Sequence, residues 1–321
     1  MTTQSPDLVL ILGTGGTIAG TAEDASDNVG YRAAQLGVAQ LVAAVPPLAG
    51  QRLETEQVAQ LDSKDMDFET WQRLALRVQI HLARPEVAGV VITHGTDTLE
   101  ETAYFLQRVL GPAKPVVLTA AMRPATALQK DGPQNLLDAV TVATNPSASG
   151  VVVVFAGQVH SAEQVRKVHS YRVDAFGSVD GSRLASIEEG HVRWLAVAHS
   201  HAPVFGTSLL ATLPPKQWPS VEIVLNHVGA SGSVVRALVA QGVDGLVVAG
   251  TGNGSLSISL DAALREAQAA GVRVLRSTRC DAGPVTASDE ALPSAGALSP
   301  VKARIEMLLQ LMQEKLQARI A

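Results

Sequence analysis

Short apolar runs alternate with amphipathic stretches along this chain, and most runs close on glycine or a hydroxyl residue. The apolar runs predict strands at 8–12, 90–92, 116–119 and 151–155. Apolar residues recurring at three and four positions predict helices at 33–45, 66–83, 99–110 and 134–143. Alternating strands and helices are the signature of a mostly parallel sheet with helices on its faces. The periodicity lapses through Ala202-Pro203, Leu213-Pro214-Pro215 and Trp218-Pro219. That breaker-rich stretch places a linker at 206–219, between a larger N-terminal domain (1–205) and a smaller C-terminal α/β domain (220–321) with its own parallel sheet. The second domain restarts with strands at 221–225, 246–248 and 272–275, each followed by a helix. In the last helix Ser299 is a good N-cap and Pro300 suits the first turn. Val301, Ile305, Leu308, Leu309, Met312, Leu316 and Ile320 then form one stripe, which is core or interface.

A length of 321 residues suits two domains. Hydrophobic residues make up 46% and aromatics 3%, so the cores are expected to be aliphatic. The net charge of −5 has no concentrated basic stretch behind it, which leaves nucleic-acid binding without an electrostatic footprint. The single cysteine, Cys280, forms no intrachain disulfide and fits a reducing compartment. Residues 1–7 lack a basic leader region, and the run 8–12 is too short for a signal core. No run approaches a membrane span. A cytoplasmic protein is expected.

Two segments carry candidate chemistry. Gly13-Thr14-Gly15-Gly16-Thr17-Ile18-Ala19-Gly20 ends the first strand in a glycine turn that presents a threonine. It is not a P-loop, because no Gly-Lys-Ser/Thr follows, and the third glycine of a dinucleotide fingerprint falls on Ile18. The second segment, Thr93-His94-Gly95-Thr96-Asp97-Thr98, follows the strand at 90–92 and precedes a helix. It presents a glycine, a hydroxyl and a carboxylate where open α/β sheets bind ligands. Taken alone, Asp97 is also a plausible helix N-cap.

Together the two segments resemble the paired threonine motifs of the bacterial-type L-asparaginase family, which includes glutaminase-asparaginases. The resemblance continues through Glu100-Glu101-Thr102-Ala103-Tyr104-Phe105-Leu106, Ala121-Met122-Arg123-Pro124 and Asp131-Gly132-Pro133-Gln134-Asn135-Leu136. It resumes at Ala249-Gly250-Thr251-Gly252-Asn253-Gly254 and Ser299-Pro300-Val301-Lys302-Ala303-Arg304, so it covers nearly the whole chain in order.

That resemblance implies an amidohydrolase converting L-asparagine to L-aspartate and ammonia without metal or cofactor. A side-chain amide is a poor electrophile, so its hydrolysis needs a nucleophile, a proton carrier, an oxyanion site and a grip on the amino-acid head. By resemblance Thr17 is the nucleophile and forms a β-aspartyl ester, and Tyr31 is the tyrosine held against it on a flap. The polar loop 21–30 has a lid's composition. Thr96 sits with Asp97 and, by matching Gln164-Val165-Arg166-Lys167, with Lys167. A lysine serves as a base only when neutral, which burial favours. Read without the resemblance, Lys167 is a solvated lysine and Tyr31 a surface tyrosine. Asp97 would hold the substrate ammonium and Ser63 its carboxylate, while backbone N–H groups and Thr96 hold the oxyanion. Relatives have glycine and glutamine around that serine. Here Asp62 and Lys64 flank it, which bears on affinity and on discrimination against glutamine.

The family's second domain completes a neighbouring subunit's pocket, and Glu290 with Asn253 or Ser255 matches its residues; otherwise Glu290 is a solvated loop glutamate. A homotetramer of intimate dimers is expected. A glutaminase-asparaginase is the nearest alternative, and a non-catalytic amino-acid sensor a remote one. His94 is read as a buried, hydrogen-bonded histidine. His199-Ser200-His201 lacks a third ligand at metal spacing.

Overall fold

The computed structural model describes residues 7–178, 181, 183–196, 205–286 and 292–320. The chain divides into two compact units, Met1–Thr207 and Ser208–Ala321.

In the first unit, β1 (Leu8–Gly15) leads to α1 (Val38–Ala43), β2 (Leu53–Leu61), α2 (Phe68–Leu82), β3 (Val87–Thr93), α3 (Leu99–Leu110), β4 (Val116–Thr119), α4 (Gly132–Ala143) and β5 (Val151–Phe155). Five shorter strands follow: β6 (Gln158–Ser161), β7 (Val165–Lys167), β8 (Phe176–Ser178), β9 (Ala185–Glu188) and β10 (His191–Trp194). Eight strands form one sheet in the order β10-β9-β6-β5-β4-β3-β1-β2. The run from β2 to β5 is parallel, and β6, β9 and β10 extend it antiparallel. β7 and β8 make a separate antiparallel pair. Every residue of β1 is buried, as expected of a central strand covered on both faces. Val9 and Ile11 pack with α1 and α4 in one aliphatic cluster. α2 and α3 form another layer, where the Trp71 and Phe105 rings stack 4.6 Å apart.

The sheet order fixes where a ligand belongs. The chain leaves β1 for β2 on one side, then returns to β3 on the other, so β1 and β3 flank a topological switch point. Open α/β sheets bind ligands in the crevice outside the strand ends at such a point.

Two differences from the expected elements have physical causes. β2, with the sequence LETEQVAQL, is an edge strand with mostly exposed or half-buried positions, so no apolar run announces it. The helix expected at 33–45 begins only at Val38. Its first residues are spent elsewhere. Ala34 takes a φ of 55°, its N–H donates to Gly16 O, and those of Gln35 and Leu36 both donate to Ala19 O. The chain here braces the first threonine turn instead of coiling.

The second unit has β11 (Val221–Leu225), β12 (Gly245–Gly250) and β13 (Arg273–Thr278) as a parallel sheet. Ahead of it lies α5 (Ser208–Thr212); α6 (Ser233–Ala240), α7 (Ile258–Ala269) and α8 (Pro300–Ile320) complete the unit. Residues 208–219 thus carry a short helix, and Leu209, Leu210, Leu213 and Trp218 are buried. In α8, Ser299 Oγ accepts the Lys302 amide, and Ile305, Leu308, Leu309 and Met312 are fully buried with Ala303 and Met307. Burial fades beyond Met312, leaving Leu316 half-buried. Among the described residues, no helix is long and apolar enough to cross a membrane.

Candidate active site

Strands β1 and β3 run side by side, with Gly13 registered on Thr93, so their two glycine turns emerge together. Gly16 has a φ of 80°, and a Cβ there would lie 2.3 Å from Gly95 Cα. A Cβ on Gly95 would lie 2.4 Å from Ser63 Oγ. Only residues without side chains let the three segments meet this closely. Thr14 Oγ1 donates to Thr93 O at 3.0 Å and ties the turns again.

Thr17 opens a single 3-10 turn, Thr17–Ala19, and is buried. Its Oγ1 lies 2.7 Å from the Tyr31 hydroxyl. Burial raises the Tyr31 phenol above its ordinary value, the bond to Thr17 opposes that, and the Asp62 and Asp97 charges add to the rise. At neutral pH the tyrosine is an uncharged hydroxyl, able to give or receive a hydrogen bond. The loop that carries it is closed at its base by paired backbone bonds between Thr21 and Arg32. Two of its carboxylates serve its own turns: Asp24 Oδ1 accepts from Ser26, and Asp27 Oδ1 accepts the amides of Val29 and Gly30.

The second threonine, Thr96, is also buried. Lys167 Nζ donates to Thr96 Oγ1 at 2.9 Å and to Asp97 Oδ1 at 2.6 Å. Asp97 is therefore not the helix N-cap. That position falls to Thr98, and the Asp97 carboxylate turns to the lysine while remaining about half exposed. Ser63 Oγ accepts the Asp97 amide at 3.2 Å, and Ser63 O accepts the Thr98 hydroxyl at 2.8 Å. Asp62 caps the 3-10 turn Ser63–Asp65, and Lys64 pairs with Asp65 and lies 4.0 Å from Asp62.

Thus Thr17 pairs with Tyr31, while Thr96, Asp97, Lys167 and Ser63 form a second connected group in the same unit. Asn253 and Ser255 stand in the second unit. There Asn253 Oδ1 accepts the Thr286 amide, and Ser255 pairs with Thr251. Glu290, His199, Ser200 and His201 lie outside the described residues. Among the described residues, no cluster of three or more His, Cys, Asp or Glu side chains is placed to hold a metal ion.

His94, between the turns, is fully buried. Its Nδ1–H donates to Gly95 O at 2.7 Å, its Nε2 accepts from Thr102 Oγ1 at 3.0 Å, and that oxygen accepts Trp71 Nε1–H at 2.9 Å. This chain of donors is complete only if the imidazole is neutral. Burial pushes its pKa down to about 4, and burial with the nearby Arg183 charge does the same to His160. Each histidine therefore favours folding fully above its ordinary value near 6.5, and that contribution is lost as pH falls toward 4. Unfolding by denaturant is expected to become easier by about 2–3 kcal/mol per histidine between pH 7 and pH 4.5. His94→Gln, which takes up no proton, should show a smaller drop; an equal drop would mean that His94 does not contribute. The sequence marked His94 as buried, but nothing in it pointed to Thr102 and Trp71 as partners.

Two hydroxyl-bearing turns at a sheet switch point, one beside a neutral tyrosine and the other beside a lysine–carboxylate pair, form an arrangement able to support nucleophilic and proton-transfer chemistry. The sequence matches the family "Asparaginase, N-terminal" over residues 8–199 and "Glutaminase/Asparaginase C-terminal domain" over residues 220–321. It is 39% identical to L-asparaginase 2 of Escherichia coli, over 96% of this chain and 89% of that protein. It is 37% identical to a glutaminase-asparaginase of Pseudomonas fluorescens, over 94% and 86%. A crystal structure of a probable cytoplasmic L-asparaginase from Campylobacter jejuni superposes with a TM-score of 0.90 at 39% identity, covering 97% of this chain and 98% of that one. The chain belongs to the asparaginase/glutaminase family of amidohydrolases.

Proposed function

We propose that this protein hydrolyses L-asparagine to L-aspartate and ammonia through an acyl-enzyme on Thr17. The observation that carries this reading is the arrangement of two buried threonine hydroxyls on adjoining turns, each with its own proton-handling partner. Thr17 Oγ attacks the side-chain carbonyl and passes its proton through Tyr31. The C–N bond breaks, the nitrogen leaves as ammonia, and an ester remains. Water then cleaves the ester, with Thr96 and Lys167 handling its proton. Backbone N–H groups and Thr96 stabilise the oxyanion.

The amino-acid head has complementary partners. The exposed part of the Asp97 carboxylate suits an ammonium group. Ser63 Oγ accepts the Asp97 amide, which leaves its own hydrogen free to meet a carboxylate. Asp62 and Lys64 place charges where relatives have glycine and glutamine, with Lys64 paired to Asp65 and Asp62 capping the turn. Half-saturation by asparagine is therefore expected above the low-micromolar range. Asn253 or Ser255, with Glu290, would close the pocket of a neighbouring subunit in a homotetramer. The lone thiol, Cys280, is exposed and free, as a cytoplasmic setting permits.

A dual glutaminase-asparaginase is the second reading, favoured by the 37% identity to the Pseudomonas fluorescens enzyme. One methylene is worth only about 1–3 kcal/mol of discrimination. Ammonia release from L-asparagine and L-glutamine, measured side by side, tests both. Turnover of asparagine alone supports the first reading, and comparable turnover of both amides supports the second. Stoichiometric binding without ammonia would overturn both in favour of a sensor.

A further inference from the structure

Lys167 stands on a slight support. β7 and β8 are three residues each and pair only with one another, with Lys167 opposite Phe176. A two-stranded pair of this size has little stability of its own. The β8 strand is held from below, where the Phe176 ring packs 4.8 Å from that of Phe155 and Ser178 Oγ bonds His160 Nδ1 at 2.8 Å. The lysine lies on the other strand.

That strand is tied to α3. The Lys167 N–H donates to Glu100 Oε1 at 3.2 Å, across 67 positions of sequence. The other carboxylate oxygen, Glu100 Oε2, is buried with no hydrogen-bond partner. Keeping a carboxylate oxygen out of water and unpaired costs stability. One long bond to a backbone amide is a poor return on that cost if folding alone is considered.

The return is geometric. Thr96 and Asp97, which accept from Lys167 Nζ, lead directly into α3, and Glu100 lies in the first turn of that helix. One helix start therefore grips the lysine at both ends, at Nζ through Thr96 and Asp97 and at the backbone through Glu100. A closed loop of contacts keeps Lys167 Nζ and the threonine hydroxyl in register even if the small strand pair shifts. Small losses of register at a reacting centre are expensive in rate.

We propose that Glu100 is a positioning residue for the reaction, holding the β7 backbone so that Lys167 Nζ reaches Thr96 and Asp97. This rests on the catalytic reading of Lys167 given above. Its function lies in the acceptor it offers to the Lys167 amide, so glutamine, which keeps a carbonyl at the same reach, should replace it.

Two readouts on the intact protein test this. Glu100→Ala is expected to lower kcat about 10- to 100-fold with KM changed less than threefold, and Glu100→Gln to stay within about fivefold of the parent. Independently of turnover, trace acetylation of Lys167 by acetic anhydride, followed by mass spectrometry of its peptide, should rise in Glu100→Ala and not in Glu100→Gln. Should Glu100→Ala fail to fold, Glu100→Asp, whose acceptor is one methylene short, takes its place in both experiments. Raised acetylation with unchanged kcat would support the positioning role and overturn the catalytic reading of Lys167. Unchanged acetylation in the alanine variant, or equal losses of kcat in the alanine and glutamine variants, would overturn the proposal.

Discussion

Replacing Thr17 with alanine is expected to lower ammonia release from asparagine by about 10⁴-fold or more, while the substrate still binds. The size of the loss follows from the position of the hydroxyl. Thr17 is buried just beyond the end of β1, with its oxygen 2.7 Å from a neutral phenol. Removing a nucleophile that acts together with its proton partner costs nearly as much as removing the whole group. Tyr31→Phe removes only the proton relay and should cost about 10²–10³-fold. Thr17→Ala removes a buried methyl group and the hydrogen bond to Tyr31, so a modest fall in melting temperature is expected. Isothermal titration with asparagine separates the two steps: binding without turnover is expected. Full activity in folded Thr17→Ala would move the nucleophile elsewhere, with Thr96 the next hydroxyl to examine.

The two threonine turns were legible in the sequence because they are backbone features. A strand that ends in Gly-Gly-Thr or His-Gly-Thr announces a tight turn whatever surrounds it. That the turns meet followed only from the family resemblance, not from the residue pattern itself. It depends on β1 lying between β2 and β3, and β2 hides its strand character in a polar edge pattern. The truncated first helix escaped for a related reason. Residues 34–36 have a helical pattern of side chains, but their amides are claimed by Gly16 and Ala19. A tertiary demand for backbone donors overrode local propensity there. In the sequence Glu100 stands within Glu100-Glu101-Thr102 with nothing to mark it out. An acidic residue in the first turn of a helix is favoured by the helix dipole in any case. Only the spatial approach of β7, 67 residues later, distinguishes it from a solvated glutamate.

The second large effect is expected at Lys167 and is to be read against Asp97. Lys167→Met keeps the length and apolar stem of the side chain but removes the donor to both Thr96 Oγ1 and Asp97 Oδ1. Loss of general acid–base assistance should reduce kcat by about 10²–10⁴-fold. KM should change far less, because the lysine is mostly buried and its bonds go to the protein. Asp97→Asn should differ in kind. That carboxylate pairs with Lys167 and also leaves about half its surface open to a substrate ammonium, so kcat should fall and KM should rise together. The step affected can be found by quenching the reaction and weighing the Thr17 peptide. If Lys167 serves the water that cleaves the ester, Lys167→Met accumulates an aspartyl adduct on Thr17; if it serves acylation, the peptide stays unmodified while turnover is slow. Unimpaired kcat in Lys167→Met would remove the lysine from the chemistry and leave its contacts with Thr96 and Asp97 as a structural tie.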